Sequence, residues 1–271
     1  MKILCLGDVV GRPGREALTH SLNEIKQQHV IDFVVVNAEN AAGGAGITTK
    51  IAQQFLNLGC DVLTLGDHVW DQKDLEPFLD ESPQIVRPAN FPEGAPGSGA
   101  CLRESAGGIK VGVINLLGRT FMRYLVECPF KTGRALADEL RRQTPVVIVD
   151  MHAETTSEKV AIGHFLDGLV SIVFGTHTHI QTADEAILDG GTAYITDLGM
   201  SGPYDSVIGQ EKEPIIQRFL TSRPSRFQVA QQRTKLCGII VDVDEETGRA
   251  RSIERLQYAY QAPDGRDEIA I

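Results

Sequence analysis

Short apolar runs alternate with amphipathic stretches along most of this chain. KILCLG (2–7), FVVVNA (33–38), VLTLG (62–66), KVGVINLL (110–117), VVIVDM (146–151), SIVFG (171–175) and TAYITDL (192–198) are rich in Val, Ile and Leu. They read as buried strands. Between them lie helical patterns at 14–29, 49–59, 71–81, 131–143 and 155–168. Gly59 closes the second, and Thr and Ser side chains at the start of the last are expected to cap it. Strand–helix alternation of this kind means an α/β layered core. The C-terminal part changes character, because 236–258 has a hairpin pattern with its turn at EETGR (245–249). The Pro/Gly-rich PANFPEGAPGSGA (88–100) is expected to be a long surface loop.

Composition narrows the class. With 271 residues, 42% hydrophobic and 23% charged, the chain suits an ordinary globular protein, and one domain over residues 1–271 is the default. A net charge of −10 argues against duplex nucleic-acid or anionic-membrane partners. It leaves room for an acidic small ligand, since a bound cation reverses the field in a pocket. The five cysteines form no CxxC pair, and several sit in apolar runs as small hydrophobes. That usage, and an N-terminus too short for a signal peptide or span, lead to the expectation of a cytoplasmic protein.

The chemistry gathers where strands end. Asp8 follows the first strand, Glu39 and Asn40 the second, and Asp67 and His68 the third. Asp150 and His152 close VVIVDMH, and His177 and His179 close SIVFGTHTH. Ligands of open α/β sheets bind beyond the carboxyl ends of the strands, so these groups should converge. Strand alternation would point His177 and His179 the same way, which is costly for two buried, unpaired rings unless cations satisfy them. Carboxylates, an amide and imidazoles form an O/N set suited to Fe, Mn or Zn, and their number favours two metals. Each residue also has a plainer reading: Asp8 as a helix cap, Glu39 and Asn40 as the start of the loop AAGGAG, His152 as a hydrogen-bonded histidine. Recurrence at five strand ends favours the metal reading. GDVVGRPG echoes a dinucleotide-binding turn, but its spacing is GxxxGxxG and it leaves the later histidines without a role. His20, His29 and His164 lie in helical stretches and receive no function.

These motifs resemble the calcineurin-like metallophosphoesterases, and more closely their YmdB-like bacterial branch. GD, NAEN, GDHVWD, DMHAE and GTHTH occur in that order, together with GRPGRE, RPANFP, NLLGR, DLGMSGPYDSVIG and RFLTSRPSRFQVA. Val10 stands where other metallophosphoesterases carry the first-motif histidine. The resemblance implies a four-layer αββα sandwich of two mixed sheets flanked by helices. It places Asp8, Glu39, Asn40 and His179 on one metal. Glu39, Asp67, His152 and His177 go to a second, with Glu39 bridging and His68 beside the substrate. Fe or Mn is the expected metal, with Zn as a third option. Where the family usually has GNH this chain has GDH, so an anionic Asp67 replaces an amide.

The implied activity is hydrolysis of 2′,3′-cyclic nucleotides or similar phosphodiesters. A metal-bridging hydroxide would attack phosphorus, and His68 would protonate the leaving oxygen. Asp67 is the expected carboxylate neighbour of His68, raising its pKa. Ser201, Tyr204, Asp205 and Ser206, on a Gly/Pro-rich loop, are candidate substrate contacts, with a purely structural loop as the alternative. Two other functions stay open: a phosphomonoesterase or protein phosphatase using the same site, and a non-enzymatic metal-stabilised binding protein. Homo-oligomerisation is compatible with all three.

Overall fold

A computed structural model of the chain describes residues 1–261. Its first sheet begins with β1 (Lys2–Leu6), β2 (Phe33–Asn37), β3 (Val62–Thr64) and β4 (Ile85–Val86), parallel to one another. On the other side of β1 it continues antiparallel through β12 (Thr234–Val243), which pairs with β11 (Gly202–Pro203) and β13 (Ala250–Ala259). The second sheet runs in the order β5 (Ala100–Glu104), β6 (Lys110–Leu117), β7 (Val147–His152), β8 (Ile172–Thr176), β10 (Ala193–Ile195), β9 (Ala186–Ile187). β6, β7, β8 and β10 are parallel, and β5 and β9 are antiparallel edges.

The continuous apolar runs follow from burial on both faces. In β1, Ile3 and Cys5 face the second sheet, packing among residues such as Val113, Ile148 and Phe174. Leu4 and Leu6 face the opposite way, toward α1 (Gly11–His29) and α2 (Thr49–Leu58). α4 (Pro129–Leu140) and α5 (Thr156–Leu166) cover the outer face of the second sheet through Ala137, Ile162 and Leu166. The layers are therefore helices, sheet, sheet, helices, as the family resemblance implies. Both parallel blocks feed their loops to one edge of the sandwich, and the site lies there.

Several local expectations change. The helical pattern at 71–81 yields only α3 (Glu76–Glu81), because Asp71 and Asp74 are engaged elsewhere: Asp74 accepts from Thr49 N at 2.9 Å, and Asp71 holds a histidine ring. α2 ends as expected, with Gly59 left-handed at φ 98°, and Thr48 Oγ1 caps its start by accepting from Ile51 N. At α5, Thr155 does not cap with its side chain; its hydroxyl donates to Glu158 at 3.2 Å. The hairpin is formed by β12 and β13 around 244–249. The 88–100 stretch is a loop over 88–99, but not a purely superficial one. The buried Arg87 ties it down by donating to the carbonyls of Pro88, Ala95, Pro96 and Gly97. α6 (Lys212–Thr221) and the short strands β4, β9 and β11 have no counterpart in the sequence reading. No helix among the described residues is long and apolar enough to cross a membrane.

Candidate metal centre

Asp8 sits two residues past β1, fully buried. Its Oδ2 accepts from His177 N at 3.3 Å, while Oδ1 has no hydrogen-bond partner among the described residues. A buried carboxylate oxygen left bare is costly, and its chemistry fits a cation ligand. His179 Nε2 lies 3.8 Å from this oxygen and 3.3 Å from Asn40 Oδ1. Asn40 spends its amide N–H on Gly44 O, which leaves Oδ1 facing the histidine. His179 Nδ1–H donates to Ile208 O at 2.9 Å, so the Nε2 lone pair is the one presented.

A second group adjoins the first. Ligand atoms of Glu39, Asp67, His152 and His177 lie within 4.8 Å of one another. His152 Nε2 stands 3.1 Å from Glu39 Oε1, 3.2 Å from Asp67 Oδ1 and 3.0 Å from His177 Nδ1. Two ring nitrogens facing each other among carboxylates form a donor set suited to a metal. Gly66 is required by this crowding, because a Cβ there would lie 2.2 Å from Glu39 Oε2 and 2.5 Å from the His152 ring.

Neighbouring residues orient these rings. His177 Nε2 meets Glu154 Oε2 at 3.1 Å, which turns Nδ1 toward Asp67. His152 Nδ1 lies 2.9 Å from Thr176 Oγ1, whose own hydroxyl donates to Asp150 Oδ1 at 2.7 Å. The hydroxyl oxygen therefore accepts from Nδ1–H, so Nε2 is the nitrogen that would offer a lone pair to a metal. Asp150 also accepts from Thr64 and from Asn37, both in the first sheet, so one carboxylate joins the two sheets beneath the site. Burial pushes its carboxyl up to about 6, against His152 and the three donors that lower it.

His177 and His179 do not reach the site by strand alternation. β8 stops at Thr176, and both histidines adopt left-handed backbone, with φ of 93° and 65°. Such conformations are uncommon for non-glycine residues and need surrounding support. Thr178 between them supplies an anchor: its N–H and hydroxyl both donate to Asp197 Oδ2, at 3.3 and 2.6 Å. Asp197 in turn pairs with the fully buried Lys159 at 2.7 Å. The turn sends His177 to one group and His179 to the other.

The electrostatics suit a cation. Burial disfavours the charged His152 ring, but Glu39, Asp67 and Asp8 outweigh it and hold the ring's pKa well above normal. Asp8 is raised, chiefly by burial. Burial also opposes ionisation of Asp67, yet hydrogen bonds from His152 and His177 hold it far below the usual carboxylate range. Metal binding would release the His152 proton and satisfy the same negative charge.

His68 lines the adjoining cavity of about 400 Å³, together with Glu39, His177, His179, Ile208 and Gln210. Its backbone N–H donates to Glu39 Oε2 at 3.1 Å. The carboxylate hydrogen-bonded to its ring is Asp71, 2.7 Å from Nδ1, while Asp67 acts on the ring through its charge alone. Burial lowers the imidazole's pKa, but Glu39, the Asp71 hydrogen bond and Asp67 together raise it above the ordinary value.

The four candidate substrate contacts are not brought to this cavity; their side chains serve the loop. Ser201 is fully buried, with Oγ donating to Cys237 O at 3.5 Å. The Tyr204 hydroxyl bonds Met200 O and Cys237 Sγ. Asp205 pairs with Lys212, and Ser206 donates to Pro203 O. Ile208 and Gln210, just beyond, line the cavity instead. Asp71, Glu154, Thr176 and the Lys159–Asp197 pair were missed as supports. Of these, Asp71, Glu154, Thr176 and Asp197 lie inside the motifs GDHVWD, DMHAE, GTHTH and DLGMSGPYDSVIG, and Lys159 lies outside them.

Two face-to-face mixed sheets carrying this donor set at their carboxyl ends define a metallophosphoesterase. Residues 4–256 match the family described as YmdB-like protein, and the chain belongs to that family. A 2′,3′-cyclic-nucleotide 2′-phosphodiesterase of Bacillus subtilis is 48% identical over 256 residues, covering 94% of this chain and 96% of its own. The crystal structure of a novel phosphatase from Mycoplasma pneumoniae is 35% identical with a TM-score of 0.90, covering 97% of this chain and 95% of that one. The crystal structure of a hypothetical protein from Thermus thermophilus is 39% identical with a TM-score of 0.88, covering 96% of this chain and 99% of that one.

Proposed function

We propose that the protein is a two-metal phosphodiesterase that opens 2′,3′-cyclic nucleotides. The observation that carries this reading is the pairing of two donor groups at one cavity. One is Asp8, Asn40 and His179, with a bare buried oxygen; the other is Glu39, Asp67, His152 and His177. Glu39, lying between His152 and the His68 backbone, is the residue that would bridge. Fe or Mn suits this mixed set, and Zn is the third option. When bound, such metals act as Lewis acids that lower the pKa of water and neutralise phosphate charge.

The remaining steps belong to the chain. Water adds to phosphorus, one P–O bond to the ribose breaks, and the ribose oxygen must take a proton. His68 is the donor, from Nε2, since Nδ1–H is held by Asp71. That carboxylate stabilises the imidazolium, which keeps the acid loaded near neutral pH. Glu154 and Thr176 hold the His177 and His152 rings so that their inward nitrogens stay fixed.

The name of the Bacillus subtilis relative supports the cyclic phosphodiester as substrate. The Mycoplasma pneumoniae structure, described as a phosphatase, favours the second reading, a phosphomonoesterase with the same site. A purely structural metal site would leave His68, oriented by Asp71, without a task. The test is turnover of 2′,3′-cAMP against p-nitrophenyl phosphate by the metal-loaded protein. We expect kcat/KM at least tenfold higher for the cyclic diester; the reverse ranking would favour the phosphomonoesterase.

A further inference from the structure

The segment 118–128, between β6 and α4, has no regular secondary structure, and two contacts suspend it beside the cavity. Arg123 Nη1 lies 3.3 Å from Asp71 Oδ1, the carboxylate whose other oxygen holds His68. Met122 Sδ accepts from the N–H of Glu154, which holds His177. The segment is thus tied to both the acid and one candidate ligand.

Its side chains are arranged as a platform. The Arg123 guanidinium lies over the Tyr124 ring, 5.0 Å from its centroid. Tyr124 packs edge-on against Phe91, and Phe91 against Trp70, at centroid distances of 5.3 and 5.6 Å. Backed by this aromatic row and fixed at one edge by Asp71, the guanidinium is held in place while its side chain stays 53% exposed. Two residues away, Phe121 is left-handed at φ 61° and 87% exposed. A bulky aromatic held in that backbone conformation and turned out to solvent has no packing role in the fold. A cleft of about 490 Å³ runs alongside, lined by Arg119, Tyr124, Leu125 and Phe130 among others.

The geometry points to this ledge, with Arg123 at its centre, as the seat of the substrate's nucleobase. The inference rests on the cyclic-nucleotide reading above. When a 2′,3′-cyclic phosphate opens, the leaving oxygen belongs to the ribose, so the nucleoside must lie on the side of the acid. His68 is the acid, and Arg123 is one carboxylate away from it. Guanidinium planes and aromatic rings stack on bases of any identity, which gives affinity with little base preference. Arg123 is a specificity residue here, and the phosphate remains with the metal centre.

The test compares 2′,3′-cAMP with glycerol 1,2-cyclic phosphate, which keeps the five-membered ring and lacks a base. Arg123→Ala and Phe121→Ser should raise KM for 2′,3′-cAMP by about tenfold relative to the base-free ester. Arg123→Lys, which keeps the charge beside Asp71 but loses the planar face, should behave like Arg123→Ala and leave the pH profile of kcat unchanged. Equal effects on both esters, or full rescue by lysine, would mean that Arg123 serves the phosphate or His68 and would overturn the ledge. Wild-type protein that turns over neither ester would remove the cyclic-nucleotide reading itself, and the ledge with it.

Discussion

Asp8→Ala is expected to lose one equivalent of metal and about 10³-fold in kcat, while Asp150→Ala keeps both metals. The two carboxylates are equally buried and equally close to strand ends in sequence, so the contrast isolates geometry. Asp8 Oδ1 has no hydrogen-bond partner among the described residues, and a cation beside His179 and Asn40 would satisfy it. Losing several kcal/mol of charge stabilisation in the transition state corresponds to the stated drop. Asp150 is saturated by Thr176, Thr64 and Asn37 and faces no open donor group. Removing it strands three buried donors that link the sheets, so the loss should appear in Tm. Its pKa of about 6 exceeds the unfolded value of about 4, so the folded state binds its proton more tightly. The contribution of Asp150 to stability therefore falls as pH rises from about 4 to about 6, and Asp150→Ala should remove that contribution from the pH dependence. Metal analysis and thermal melts of the two variants check both statements. Metal loss in Asp150→Ala, with retention in Asp8→Ala, would reverse the assignment.

His68→Ala should retain both metals and the fold while kcat for 2′,3′-cAMP falls by about 10²–10⁴-fold, the usual range for a lost general acid. With bis(p-nitrophenyl) phosphate, whose leaving group needs no proton, the loss should shrink to a few-fold. A distorted metal site would slow both esters alike. Asp71→Asn is the companion variant, because Asp71 and not Asp67 holds the ring. A general acid works below its pKa, and this carboxylate raises that pKa. Neutralising it should move the basic limb of the kcat profile to lower pH.

An α/β layered core was legible because strands buried on both faces must be apolar throughout, whereas its division into two sheets came from the motif resemblance. β1 divides Ile3 and Cys5 from Leu4 and Leu6 between two cores, and no polar position interrupts the run. α6 was not legible: Ile215 is its one buried hydrophobic residue, and Phe219 and Leu220 are largely exposed, so its pattern carries no inward stripe. At the site, the residues that the structure gathers were named from strand ends and from the order of the motifs. The path of the two histidines was not. Strand alternation put them on one face, whereas the chain leaves β8 in two left-handed steps held by Thr178 on Asp197. That support depends on Lys159, a helical lysine whose burial no local pattern announces. The loop at 201–206 was open to two readings, substrate contact or structural loop, and its hydrogen bonds fit the structural one. Its hydroxyls and carboxylate are types that bind ligands, yet each is used by a neighbour in the same loop, in β12 or in α6.

The central claim is that two metals, one for each donor group, work together at this cavity. Metal-free protein titrated with Mn²⁺ under anaerobic conditions, with bound metal per chain and 2′,3′-cAMP turnover read on the same samples, tests it most directly. We expect little activity at one equivalent, a steep rise with the second and saturation at two. Full activity at one equivalent, with no gain on further loading, would contradict it.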